Sequence, residues 1–215
     1  MKAMTVTILK QNTEMKTAVL PIDQLKPHEK GSPLYLELIK QEILTDGILR
    51  YPIIADEKTG VILDGMHRWL ALKSLGLQFI PVILVDTSQG AKIRIGKRRI
   101  HRYMDPVDSP TVEEVIEAGL SGRLMEPRST RHFFSFSKFQ RIDYPIRLLG
   151  KGMPRDVSKY LAKASKEENQ AAIREWLGEM SEELEFLTKR KEEVENERRE
   201  FLNRIKNVDT TSSLF

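Results

Sequence analysis

The pentapeptide Asp64-Gly65-Met66-His67-Arg68 closes one apolar run and opens another, and most of its residues have chemistry to offer. Glycine lets the backbone turn where a β-carbon would forbid it, so a ligand can come close. The helix expected behind it presents unpaired N–H groups and the positive end of its dipole, which suit a phosphate. His67 and Arg68 add side-chain donors there, and a guanidinium can grip phosphate oxygens in a bidentate fork. Asp64 is the negative group of the turn, placed to meet a metal ion or a substrate hydroxyl. The plain structural alternative is a strand–turn–helix in which Asp64 caps the helix and His67 and Arg68 face solvent.

Two further segments carry reactive side chains. In Leu25-Lys26-Pro27-His28-Glu29 the proline disfavours a helical Lys26, which puts His28 and Glu29 on a loop. Loops are where a carboxylate can project into a cleft as a general base. Pro127-Arg128-Ser129-Thr130-Arg131-His132 gathers hydroxyls, guanidinium groups and an imidazole, a composition suited to carboxylate or phosphate oxygens. Taken singly, the first reads equally as a solvated loop pair and the second as a basic turn. Three of the four histidines fall within these three segments, which points to one shared site. The chain has no cysteine, so disulfides, thiolate metal sites and thiol catalysis are excluded. It has neither a P-loop nor a protein-kinase glycine-rich loop, so nucleotide chemistry would need another scaffold.

The elements that must position these residues follow from periodicity and punctuation. Strands are expected over 5–9, 18–22, 52–56, 61–64, 80–85, 133–136 and 141–146. Ser32-Pro33 starts a helix that Gly47 stops, another helix runs over 66–75 and ends at Gly76, and Ser109-Pro110 starts a third ending at Gly119. Short connections between alternating strands and helices favour one mixed α/β layer structure over residues 1–164. Residues 165–215 differ. Behind a capping-box pattern at Ser165-Lys-Glu-Glu168, apolar residues recur in alternating steps of four and three from Ile173 to Val208, with Lys191 and Arg198 as exceptions. A continuous helix over 166–206 would be about 60 Å long, too long to bury its stripe on so small a domain. The expectation is therefore a coiled-coil-type helix that pairs two chains into a homodimer and lies apart from the site.

Charge is distributed unevenly. The net charge is +4 for the chain but −4 over residues 165–215, which leaves the α/β part at +8 and in want of an anionic partner. The longest apolar runs are far short of a membrane span, and the N-terminal residues lack the apolar core of a signal peptide. A soluble, cytoplasmic protein without a membrane partner is expected.

The Asp64-Gly65-Met66-His67-Arg68 turn, after Pro-Ile-Ile and before a short helix ending Leu75-Gly76, resembles the phosphate-binding motif of the ParB/sulfiredoxin superfamily. Within it, the Leu25-Lys26-Pro27-His28-Glu29 opening and Ser129-Thr130-Arg131-His132 look like the free serine kinases. The resemblance covers residues 18–85 and about 112–150, not the heptad tail. It implies a compact ParB/sulfiredoxin-like domain that moves a phosphoryl group from ADP or ATP, with Mg2+, to the hydroxyl of free L-serine, giving O-phospho-L-serine. On that resemblance Glu29 is the base, Asp64 assists at the metal or hydroxyl, and Gly65, His67 and Arg68 hold the nucleotide phosphates. Thr130, Arg131 and His132 hold the amino acid or the transferred group.

Two departures stand out. Only residues 86–128 separate the strand at 80–85 from the Thr-Arg-His segment, and Lys92-Ile-Arg94-Ile-Gly96-Lys97-Arg98-Arg99 occupies the place of a tryptophan. The acceptor implied is thus a small hydroxyl compound, with serine favoured. Sulfiredoxin chemistry is excluded, because Met66 stands where that reaction needs cysteine. The basic strip over 92–102 sustains an alternative, a ParB-like nucleotide-binding protein associated with DNA, for which 156–176 is a weak helix-turn-helix candidate.

Overall fold

The computed structural model describes residues 16–89, 93–96 and 110–211. Strands β1 (Lys16–Pro21), β3 (Ile53–Asp56), β4 (Ile62–Asp64) and β5 (Phe79–Val85) form a mixed sheet in the order β1-β5-β3-β4. β5 is antiparallel to β1 and parallel to β3, and β3 is antiparallel to β4, with Ile54 opposite Asp64. Two short antiparallel pairs complete the strands: β2 (Ile48–Leu49) with β8 (Tyr144–Pro145), and β6 (Ile93–Gly96) with β7 (Arg131–Phe134). The helices are α1 (Pro33–Asp46), α2 (Met66–Ser74), α3 (Val112–Ser121) and α4 (Lys166–Thr211). The expected strand at 5–9 lies outside the described residues, as does most of the basic strip over 92–102.

Both faces of the sheet are covered, and β4 shows how. Its side chains alternate: Ile62 enters the main core with Leu36, Ile53, Leu70 and Ile80, whereas Val61 and Leu63 enter a second cluster with Val115 of α3. A strand buried on both sides holds its register firmly, because a one-residue slip would exchange the two cores. Trp69 anchors α2. It is 1% exposed, and its indole N–H donates to the Ile22 carbonyl at 2.9 Å.

Local signals fixed most boundaries. Ser32 caps α1 by accepting from the Tyr35 N–H with Pro33 in the first turn, and Gly47 ends it in the left-handed conformation. α3 departs from expectation at both ends. Its cap is Thr111, in a capping box with Glu114, and it runs through Gly119 to Gly122. Gly119 is a contact and not a stop: a β-carbon there would sit 2.6 and 2.7 Å from the two Val61 methyls, so its absence lets α3 approach the sheet.

The chain divides into two compact units between Ile173 and Arg174, so the first two turns of α4 group with the α/β part and Ala172 is fully buried there. α4 continues without a break through Gly178. Its apolar stripe is exposed: Leu177, Met180, Leu184, Leu187, Val194, Phe201 and Ile205 each show more than two-fifths of their surface. Among the described residues no helix is long and apolar enough to cross a membrane. The helix-turn-helix candidate at 156–176 does not form. A single short 3-10 turn at Ser158–Tyr160 precedes α4 instead.

The Gly119 contact yields a paired test. Gly119→Ala should lower stability by about 1–3 kcal/mol through overpacking on Val61. Gly178→Ala, at a helical position with nothing within 4 Å, should raise stability by up to about 1 kcal/mol. Thermal or urea denaturation of the two variants beside the parent chain reads both signs.

Candidate active site

The phosphate-type turn forms between β4 and α2. Gly65 takes φ 89°, which favours glycine, and its α-hydrogen side faces the Arg68 guanidinium, so a β-carbon would lie 2.9 Å from Nη2. Arg68 Nη2 donates to Asp64 Oδ2 at 2.5 Å, with both side chains mostly buried. Asp64 therefore does not cap α2, whose N-cap is Gly65 without a side-chain bond. Instead it holds the guanidinium over the turn, at the helix end where backbone N–H groups are open to a phosphate.

His67 projects from the first turn of α2 toward the start of α1. Its Nε2 accepts from the Ser32 backbone N–H at 2.8 Å, and its ring lies against Tyr35 with centroids 4.4 Å apart. An accepting Nε2 requires the neutral tautomer with hydrogen on Nδ1.

The Glu29 loop is zipped to the chain beyond α3. Lys30 N–H donates to the Met125 carbonyl and Met125 N–H donates to the His28 carbonyl, at 3.0 and 2.8 Å. His28 is 3% exposed, not a solvated loop residue. Its Nδ1 lies 2.6 Å from the Ile62 carbonyl and its Nε2 lies 2.8 Å from Thr130 Oγ1. Burial pushes its pKa down to about 4, although the Ile62 bond works the other way. Neutral His28 thus donates from Nδ1 to Ile62 and accepts at Nε2. Thr130 Oγ1 also lies 3.2 Å from Glu29 Oε2. A hydroxyl has one hydrogen, so Thr130 can donate to His28 or to Glu29 but not to both.

His132 completes the group. Its ring meets His28 edge-on at 5.4 Å, and it hydrogen-bonds the Leu63 backbone next to Asp64. Burial, with the neighbouring His28, lowers its pKa to about 3. Its Nε2 is closed off from solvent and has no hydrogen-bond partner, and the same holds for Ser129 Oγ.

The structure thus brings Glu29, Thr130 and His132 together at the end of β4, one residue from Asp64 and the Gly65 turn, and ties His67 in through Ser32. Arg131 stands on the opposite face of β7 from His132, with its guanidinium over the Phe133 ring. Sequence reasoning missed the roles of His28 and Ser32, and of Arg128, whose guanidinium pairs with Glu168 of α4 at 2.9 Å. The tail therefore reaches the site region, against expectation. Pro27 was the available signal for His28, because it fixes the extended loop that aims the imidazole inward.

Among the described residues, no three or more His, Cys, Asp or Glu side chains are grouped to hold a metal ion. Mg2+ usually takes only one or two carboxylates and completes its shell with substrate phosphates and water. Asp64, a partly exposed carboxylate at a phosphate-type turn, fits that pattern.

No protein-family model matches the chain. It is 33% identical over 76 residues to an ATP-dependent L-serine kinase of Staphylothermus marinus, an alignment covering 34% of this chain and 30% of that protein. It is 41% identical over 80 residues to a ParB-like protein of Sulfolobus acidocaldarius, covering 36% and 39%. The chain spans less than half the length of the curated relatives it matches. Among solved structures it superposes on a free serine kinase in complex with AMP with a TM-score of 0.53 at 17% identity, over 64% of this chain and 95% of the other. The α/β part has the fold of the free serine kinases, and its sequence is similar to L-serine kinases and to a ParB-like protein.

Proposed function

We propose that this chain transfers a phosphoryl group from ADP or ATP to the hydroxyl of a small molecule, free L-serine, giving O-phospho-L-serine. The observation that carries this reading is the hydrogen-bonded group Glu29–Thr130–His28 beside the Gly65 turn. Phosphoryl transfer needs positioning and charge neutralisation more than covalent help. The N–H groups opening α2, with His67 and Arg68 beside them, supply donors for the phosphates. The serine oxygen forms a bond to the terminal phosphorus as the bond to the nucleotide oxygen breaks, and the hydroxyl proton passes to Glu29. Thr130 Oγ1 lies within hydrogen-bond reach of both His28 Nε2 and Glu29 Oε2, which keeps the carboxylate beside the turn. Thr130 and His132, the latter kept neutral by burial, frame the place of the amino acid. Mg2+ held by Asp64 and the phosphates would neutralise charge on the transferring group.

The DNA-associated alternative has the ParB-like relative behind it, and the comparison to make is nucleotide-dependent duplex binding without product. The absence of a helix-turn-helix at 156–176 removes the segment that would read DNA there.

We also infer that α4 pairs two chains. Its exposed stripe has the steps of a two-stranded seam, and the long apolar stems of Lys191 and Arg198 can pack there while their charges reach flanking glutamates.

These readings predict separable outcomes. Glu29→Gln should leave nucleotide binding nearly intact and lower turnover roughly 10²-fold or more, measured by calorimetry and initial rates. Arg68→Ala should weaken nucleotide binding by about 1.5–3 kcal/mol, and an unchanged dissociation constant for both ADP and ATP would make the turn purely structural. Light scattering should find the full chain dimeric and a Leu184→Asp/Leu187→Asp variant monomeric; a monomeric parent chain would refute the pairing.

A further inference from the structure

Arg128 and Glu168 form a largely buried ion pair near the site. Nη1 and Nη2 of Arg128 donate to Oε2 and Oε1 of Glu168, each at 2.9 Å, so the pair is a parallel fork. The two side chains are only 18% and 14% exposed, and solvent screens them little.

Arg128 also has φ 62°, in the left-handed region that a β-carbon disfavours. Such a conformation persists only where the surroundings over-determine it. It stands immediately before Ser129, Thr130, Arg131 and His132, and so sets the direction in which that segment leaves the turn.

The local sequence gives Glu168 another task. In a capping box it would reach back to the backbone N–H of Ser165. Half of that box forms: Ser165 Oγ accepts from the Glu168 N–H at 3.1 Å. The carboxylate is turned to Arg128 instead, and it also meets the Ser32 side chain, with the His67 ring nearby. Burial works to raise the Glu168 pKa, but the bonds from Arg128 and Ser32 outweigh it and keep the group ionised. One carboxylate therefore touches the loop before β7 and the cap of α1, whose Ser32 N–H holds His67.

We propose that Glu168 is a positioning residue for the acceptor site, fixing the Arg128 turn and through it Thr130 and His132. The proposal rests on the phosphoryl-transfer reading of that site. Glu168 itself touches neither substrate nor reacting atoms in this arrangement.

The test uses the full chain with Glu168→Gln, Glu168→Ala, Arg128→Ala and the Arg128→Ala/Glu168→Ala double variant. Steady-state kinetics give KM for serine, calorimetry gives nucleotide affinity, and hydrogen exchange reports the amides of residues 129–132. Each single variant should raise KM for serine about 10-fold or more and speed exchange at 129–132 comparably, because breaking a buried pair frees the loop; Arg128→Ala, which leaves the Ser32 contact of Glu168 in place, should change nucleotide affinity by less than about threefold. The double variant should be no worse than either single one, as for two residues acting as one contact. Glu168→Gln keeps the side-chain shape, so it decides the matter if an alanine variant fails to fold. Unchanged KM and unchanged exchange in Glu168→Gln, or effects that multiply in the double variant, overturn the proposal. If the parent chain phosphorylates no serine, the proposed function fails and exchange alone judges the clamp: faster exchange in Glu168→Gln sustains it, unchanged exchange removes it.

Discussion

The imidazole of His28, buried and neutral, holds three parts of the chain in one place. It donates to the Ile62 carbonyl of β4, accepts from the loop before β7 through Thr130, and lies next in sequence to Glu29. A charged imidazole could not satisfy the same set: Nε2 would become a donor, and the Thr130 hydroxyl would have to turn its hydrogen toward Glu29. Burial keeps the ring neutral by making the charged form costly. The hydrogen-bond directions at the site are therefore set by a desolvation effect. His132 obeys the same constraint, and its unpartnered Nε2 stays an acceptor for that reason.

The Gly65 turn is held by complementary means. Asp64 anchors Arg68, Ser32 anchors His67, and Gly65 leaves the space that the guanidinium occupies. Each donor is thus held by a partner that fixes its direction before a ligand arrives, which is how a preorganised site limits reorganisation during reaction. The His28 group and the Gly65 turn meet at β4. Ile62 and Leu63 bind His28 and His132, and the next residue, Asp64, opens the turn. Because β4 is packed on both faces, a shift of either half would disturb a core.

What the sequence disclosed was whatever short-range chemistry dictates. Ser32-Pro33 and Gly47 bound α1 as their backbone preferences require, and the Asp64-Gly65 turn formed because its left-handed backbone, φ 89°, favours glycine. The heptad steps gave one continuous helix. What stayed hidden depended on contacts distant in sequence. Gly119 reads locally as a helix stop, and only Val61 across the interface makes it a contact. His28 and Glu29 read as a solvated pair, because nothing local reveals Thr130 about a hundred residues away. Arg131 matched a motif, but strand alternation put it on the other face of β7 from His132. Glu168 looked like a capping residue until Arg128 claimed its carboxylate.

The central claim is that this site moves a phosphoryl group to a free hydroxyl. Phosphorus NMR of the full chain with Mg2+, ADP or ATP, and L-serine tests it most directly. The account predicts a new phosphomonoester resonance that grows with time, requires L-serine, and matches O-phospho-L-serine on addition of that compound. Nucleotide that binds but yields no phosphomonoester with serine present would contradict it.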